Sequence, residues 1–358
     1  MKQTNKENFL ITFFCTIVRP RFQFITLFFV SSAIIFMAYH PVQRFYALEP
    51  YPPLLPITPQ KIKAWGGEPV PVKVGLYIRS FSVFDFVANK FVIDGILWFE
   101  FDPALISLET VNKFSFEKGT LTAKSAPYTK IIDDKFFARF DIQFEFSIDL
   151  NYTYFPFDDH RMSIILVNRY IPPSEMIFVS YESYFSIDQS IEISGWEEEG
   201  KTVKTGYSES RLEKLDPEKV VLHPKTVFSI DYRRSGIRYI LLIILPLCII
   251  FFVGLFSFAF DPKKHATMIL GLATGTITSL LSYRFVIERI TPQVGYFVFS
   301  DYIFTLLLSL SVLEFIFAIV MISVGHLTRF LIIARGVIFL TFHFLFLFMW
   351  YYFLHLLV

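Results

Sequence analysis

Residues 237–287 read IRYILLIILPLCIIFFVGLFSFAFDPKKHATMILGLATGTITSLLSYRFVI, two apolar runs, Ile237 to Phe260 and Ala266 to Ile287, parted only by Asp261-Pro262-Lys263-Lys264-His265. A helix needs roughly 20 residues to cross the hydrocarbon core of a bilayer, so each run is a candidate membrane span. Working outward, Phe22 to Tyr39, Tyr302 to Val324 and Gly336 to Val358 have the same character. The whole chain agrees: of 358 residues 54% are hydrophobic and 18% charged, and the mean hydropathy of +0.50 is too high for a surface wetted all round. Lys+Arg 33 against Asp+Glu 32 leaves a net charge of +1, which gives no basic excess for nucleic acid and no acidic excess for disorder. Cys15 and Cys248 each lie in apolar runs, so neither a disulfide nor a cysteine-based metal site is expected. No metal-ligand cluster, nucleophile elbow or phosphate loop is present in the sequence, and no cofactor or enzymatic activity is expected.

Between the first and second spans, His40 to Gly236 is charged and alternates with period two, as in Phe140-Asp141-Ile142-Gln143-Phe144-Glu145-Phe146. Turn signals at Gly66-Gly67, Asp133-Asp134 and Pro172-Pro173 cut it into short strands of a sandwich or barrel, which the pattern does not separate. Pro50, Pro52, Pro53, Pro56 and Pro59 predict a stiff connector over 40–71 without chemistry of its own. Phe9 to Val18 is too short to span and is expected to lie in the interface or to pack on the helices.

Lys2, Lys6, Arg19 and Arg21 precede the first span, Lys263 and Lys264 join the second to the third, and Arg329 and Arg335 join the fourth to the fifth. Five spans put all three groups on one side, which the positive-inside rule makes cytoplasmic. The expected setting is the plasma (inner) membrane, with a cytoplasmic N-terminus and a periplasmic or extracellular β-domain. The first span is read as a retained anchor rather than a cleaved signal peptide.

The third span is unusual. Thr267, Gly271, Thr274, Thr278 and Ser282 recur in steps of 4, 3, 4 and 4 and so share one helical face. The plain reading is close packing through small residues, which Gly271-x-x-x-Gly275 fits. The sharper reading is a helix facing water in a pore built by several copies. In the fourth span, Glu314 is costly against lipid and should face inward, as a structural hydrogen bond or a proton sensor. His343 and His355 are read as packing or interfacial residues, and Pro246 as a bend or hinge.

Phe155-Pro156-Phe157-Asp158, followed by a β-like run, a tryptophan, the pair Arg233-Arg234 and four spans, resembles the pentameric ligand-gated ion channel (Cys-loop receptor) superfamily. Val74 to Phe81, Asp102-Pro103-Ala104-Leu105, Gly195-Trp196, Pro246, Ser257-Phe258 and Pro292-x-Val294-x-Tyr296 with Asp301 follow in the family's order from Val72 to the C-terminus. The resemblance implies an immunoglobulin-like extracellular β-sandwich (72–236) that binds ligand, on a four-helix transmembrane bundle (237–260, 266–287, 302–324, 336–358), as a homopentamer. It implies that the second bundle helix lines the pore, through Thr267, Gly271, Gly275, Thr278, Ser282 and Phe285, and this tips the third span from packing to conduction. Gating would pass from a small-molecule agonist or protons through Phe155, Pro156, Phe157, Asp158, the hairpin near Asp85 to Lys90, and Arg234, to Pro292, Val294 and Tyr296. The permeant ions are of either sign.

The chain departs from the family plan. Ile148 and Met162 stand where the signature disulfide would be, as in prokaryote-like members, and the N-terminal span (1–39 with its leader) is an addition. Arg169 stands where an aromatic is common, and Trp98 is displaced by two from the usual tryptophan. Arg139, Arg169, Tyr170 and Tyr207 are the agonist candidates, Tyr207 expected in a loop capping the site. Paired arginines would suit an anionic ligand. From a different class, a non-conducting receptor or accessory subunit could use the same fold for sensing or scaffolding.

Overall fold

The computed structural model describes residues 12–43, 45–213, 216, 219–235, 237–324 and 329–352. It divides into two compact units, one holding Tyr46–Asn151 with Asp159–Ser235, the other the described parts of Met1–Phe45, Tyr152–Asp158 and Gly236–Val358.

The first unit is built on strands β1 (Val70–Asp85), β2 (Lys90–Phe101), β3 (Phe114–Glu117), β4 (Gly119–Lys124), β5 (Tyr128–Ile132), β6 (Lys135–Phe146), β7 (His160–Asn168), β8 (Met176–Val179), β9 (Phe185–Ile187), β10 (Trp196–Arg211) and β11 (Val220–Arg234). One sheet runs β4-β6-β2-β1-β8, with β5 added to β6 and β9 to β1, and the other runs β10-β11-β7-β3. Period-two patterning sets which sheet face is dry: Phe140, Ile142, Phe144 and Phe146 are buried while Asp141, Gln143 and Glu145 between them are not. Leu76 and Phe99 from one sheet and Met162, Leu166 and Phe228 from the other belong to a single core. Aromatic rings fill much of it, Phe116 stacking on Phe144 at 4.2 Å. The layout is therefore two facing sheets, which the sequence pattern left undivided from a barrel.

The proline-rich connector belongs to this unit from Tyr46 onward. Ala47 bridges Asp159 and Leu55 bridges Tyr207. A short helix, Pro59–Ala64, is capped by Thr58.

The second unit contains five helices long and apolar enough to cross a membrane: α1 (Pro20–Gln43), α4 (Ile237–Leu255), α5 (Pro262–Ile290), α6 (Phe299–Val324) and α7 (Arg329–Tyr351), α2 and α3 being the short Pro59–Ala64 and Leu108–Val111 helices of the first unit. A β-domain joined to helices long and apolar enough to cross a membrane is the architecture. α4 passes through Pro246 and ends in a 3₁₀ turn at Phe256–Ala259. The expected boundary at Ala266 coincides with a break at His265 (φ −132°, ψ 30°), where the first turn of α5 departs from helical backbone. α7 differs from expectation: it begins at Arg329, so Arg335 lies within the helix, 7% exposed, rather than in a loop. Its far end, with His355, is outside the described residues. α1 is held by a buried amide: Gln23 Nε2 donates to Val18 O (3.1 Å) and Leu255 O (3.3 Å). Residues 12–17 are helical, and Phe14 among them packs on Gly336 of α7, as the reading of Phe9 to Val18 as packing on the helices expected for its described part.

Candidate functional site

The expected pore-lining set lies on one side of α5. Asp261 caps the helix, accepting from Lys263 N–H at 3.0 Å. Ile269, Ala273, Thr276, Leu280 and Ile287 are buried, and Ile269 and Ala273 form a small core with Ala318 of α6, flanked by Phe260, Phe315 and Ile322. Thr267, Gly271, Gly275, Thr278 and Ser282 are exposed instead, as is Phe285 at 70%. The hydroxyls of Thr274 and Thr278 donate back to Leu270 O (2.8 Å) and Thr274 O (3.0 Å), the local bond that lets a helical threonine do without a partner on another helix. A Cβ on Gly271 or Gly275 would meet nothing within 4 Å. Close packing through Gly271-x-x-x-Gly275 is therefore not made among the described residues. The glycine that does allow close approach to α5 is Gly254 of α4: a Cβ there would lie 2.5 Å from Thr276 Oγ1 and 3.0 Å from Glu314 Oε2.

Glu314 faces inward as expected, 1% exposed. Its Oε1 accepts from the Ser257 hydroxyl at 2.6 Å, tying α6 to the 3₁₀ turn after α4. Its Oε2 is sealed without a partner.

The Phe155-Pro156-Phe157 loop belongs to the helical unit and contains a cis Phe155-Pro156 peptide bond. Phe155 and Pro156 are buried. The segment leading into α6 grips the loop: Phe299 N–H donates to Thr153 O (2.9 Å) and Ser300 N–H to Phe155 O (3.2 Å), while Tyr152 N–H donates to the Tyr296 hydroxyl (2.9 Å). Phe157 sets its edge against Phe299 at 5.6 Å and Trp350 at 6.1 Å. Of the expected coupling residues, Tyr296 thus meets the loop, with Pro292 buried and Val294 half-buried in the same segment. Asp158 is buried. Arg234, in the β unit, donates its N–H to Asp159 Oδ1 (3.0 Å) and lays its guanidinium 4.2 Å over the Trp196 ring.

The four agonist candidates fall in three places. Arg169 and Tyr170 line a cleft of about 340 Å³ with Ile171, Pro172 and Val220 to His223. Burial and then the charge of Arg169 hold His223 below its ordinary histidine value. Arg139 is on the other sheet, paired across strands with Trp98 and resting 4.8 Å over Tyr128. Tyr207 is not in a capping loop. It lies inside β10, 3% exposed, because the connector covers it: Leu55 N–H donates to Tyr207 O (2.8 Å), Tyr207 N–H to Leu55 O (3.0 Å), and Trp65 sits edge-on at 5.5 Å.

The connector also carries chemistry that the sequence did not suggest. Glu49, 5% exposed, accepts from Asn151 N–H (3.0 Å) and Arg161 N–H (3.1 Å) and pairs with His160 Nδ1 (2.7 Å). His160 in turn stacks on Phe86 at 4.8 Å. Tyr51 lies between Arg161 (3.9 Å) and Lys204 (3.3 Å). Among the described residues no group of three or more His, Cys, Asp or Glu side chains could hold a metal, and both cysteines are free.

Against models of known protein families and against curated proteins, the chain has no match.

Proposed function

We propose that this protein is a ligand- or proton-gated ion channel of the plasma (inner) membrane, a homopentamer in which α5 of each copy lines the conduction path. In this reading α4 to α7 form a four-helix transmembrane bundle, α1 is an added N-terminal span, and the two-sheet unit is an immunoglobulin-like, extracellular ligand-binding domain. The observation that carries it is the division of α5: a buried apolar side spent on α6, and an exposed stripe of glycine and hydroxyl residues with no partner helix among the described residues. Such a stripe is wasted on lipid and useful against water and ions. The grip of the segment between α5 and α6 on the Phe155-Pro156-Phe157 loop supports a coupling role for that loop, and the cleft at Arg169 and Tyr170 supports a small-molecule site. Gating is then a shift between two packings, biased by a ligand that binds one of them better.

The test is current across a planar bilayer holding the purified protein, with reversal potentials in asymmetric salt to give the sign of the permeant ion. Discrete channel openings are expected. Silence from demonstrably inserted protein, from acidic to neutral pH and with charged and zwitterionic small molecules offered on either side, would leave a receptor or scaffold in place of a channel.

A further inference from the structure

Arg335 stands apart from the other membrane-region charges. It lies six residues into α7 and is only 7% exposed. An arginine does not give up its proton in a protein, so a buried guanidinium needs an anion or a set of acceptors. Among the described residues Arg335 has neither: its Nε is sealed without a partner, and no hydrogen bond or ion pair reaches the side chain. Its ionisable neighbours are Cys15 and Asp261. The Asp261 carboxylate is already engaged in capping α5 through Lys263 N–H.

The surroundings say what kind of anion is missing. Gly336, the next residue, is packed against Phe14 of the helical segment over 12–17, which brings the N-terminal residues, the start of α5 and the start of α7 to one end of the helical unit. Arg19, Arg21, Lys263 and Lys264 are exposed there, so the end is positive, the field that gathers anionic headgroups at a membrane surface. The guanidinium fork fits phosphate oxygens in bidentate fashion.

We infer that Arg335 anchors a binding site for a phosphate-bearing anion at this end of the helices, filled by the diester of an anionic phospholipid or by free phosphate.

The full-length protein in a mild detergent, examined by native mass spectrometry, tests it. The probes are dioctanoyl phosphatidylglycerol, dioctanoyl phosphatidylcholine and inorganic phosphate, each offered separately. Phosphatidylglycerol is expected to stay bound, with phosphatidylcholine at least tenfold weaker. Arg335→Gln should lower occupancy at least tenfold, whereas the exposed pair Lys263→Gln with Lys264→Gln should change it less than threefold. If Arg335→Gln does not fold, Arg335→Lys, which keeps the charge and loses the fork, should give a loss of three- to tenfold. Binding of phosphatidylglycerol but not phosphate assigns the lipid as source, and the reverse assigns the soluble anion. Binding of neither, equal retention of phosphatidylcholine, or wild-type occupancy in the Arg335 variants overturns the inference.

Discussion

Glu49→Ala removes the acceptor of three donors at once: the part-buried amides of Asn151 and Arg161 and the buried Nδ1 of His160. Water cannot take its place easily, since Glu49 is 5% and His160 0% exposed. An orphaned buried donor costs roughly 1–3 kcal/mol, and two part-buried amides lose the same acceptor with it. Part of this is recovered by relaxation of the connector, so about 3 kcal/mol is a fair expectation, equivalent to roughly 150-fold in an opening equilibrium at 1.4 kcal/mol per decade. The readout is amide hydrogen exchange of the full-length protein in detergent. The Asn151 and Arg161 amides should exchange faster by that factor, and the Leu55 and Tyr207 amides, which pair further along the same connector, should follow to a smaller degree. Glu49→Gln, which keeps one acceptor oxygen, should fall between. Unchanged protection at Asn151 and Arg161 in Glu49→Ala would refute the reasoning and return the connector to the passive spacer that its prolines suggest.

In a background with Cys15 and Cys248 replaced by Ser, Cys at Thr267, Thr278 or Ser282 should react with a charged thiol reagent at least tenfold faster than Cys at Ile269 or Leu280, and equal rates would remove α5 as a water-facing helix. Gly254→Ala presses a methyl on Thr276 and Glu314 and should destabilise by roughly 1–3 kcal/mol, the usual cost of overpacking, seen as a lower thermal midpoint. If protons gate through Glu314, Glu314→Gln should shift the pH dependence of currents, and an unmoved curve excludes that route. His223 is held below its ordinary value, so an unfolded chain takes up this proton first, near pH 6.5. Stability is then complete above that pH and is lost as pH falls toward the folded value, and His223→Gln should flatten this part of the pH-stability curve.

Much of this was legible in the chain because the two solvents write different periods. Alternation over Phe140 to Phe146 assigns faces within a strand, and the apolar residues are buried and the polar ones half-buried as it requires. Apolar runs marked all five long helices, yet missed their ends, because helical backbone continues past the apolar stretch: α7 starts at Arg329 and buries Arg335, whose charge reads as loop. Facing sheets could not be told from a barrel, since strand order depends on pairings such as β2 with β6 and β11 with β7, which local pattern does not encode. The same limit hid the Glu49–His160 pair, 111 residues apart, and put Tyr207 in a loop when a connector 152 residues upstream at Leu55 covers it.

Glycine shows most sharply why the membrane helices needed a structure. Gly254 and Gly271 look alike in sequence, each a gap in an apolar helix, and each could equally serve close packing. One is pressed by Thr276 and Glu314, the other opens on empty space. Once the close contact of α5 is known to run through Thr276, the opposite stripe needs another explanation. Met268, Leu270 and Leu281 border it and are 49%, 38% and 48% exposed. In the proposed assembly these apolar borders would be covered by α5 of adjacent copies, leaving Gly271, Gly275 and Thr278 on the axis. Lipid would cover the apolar border of α5 as readily as another copy, so within the proposal it is the stripe of Gly271, Gly275 and Thr278, and not its border, that calls for a water-filled axis.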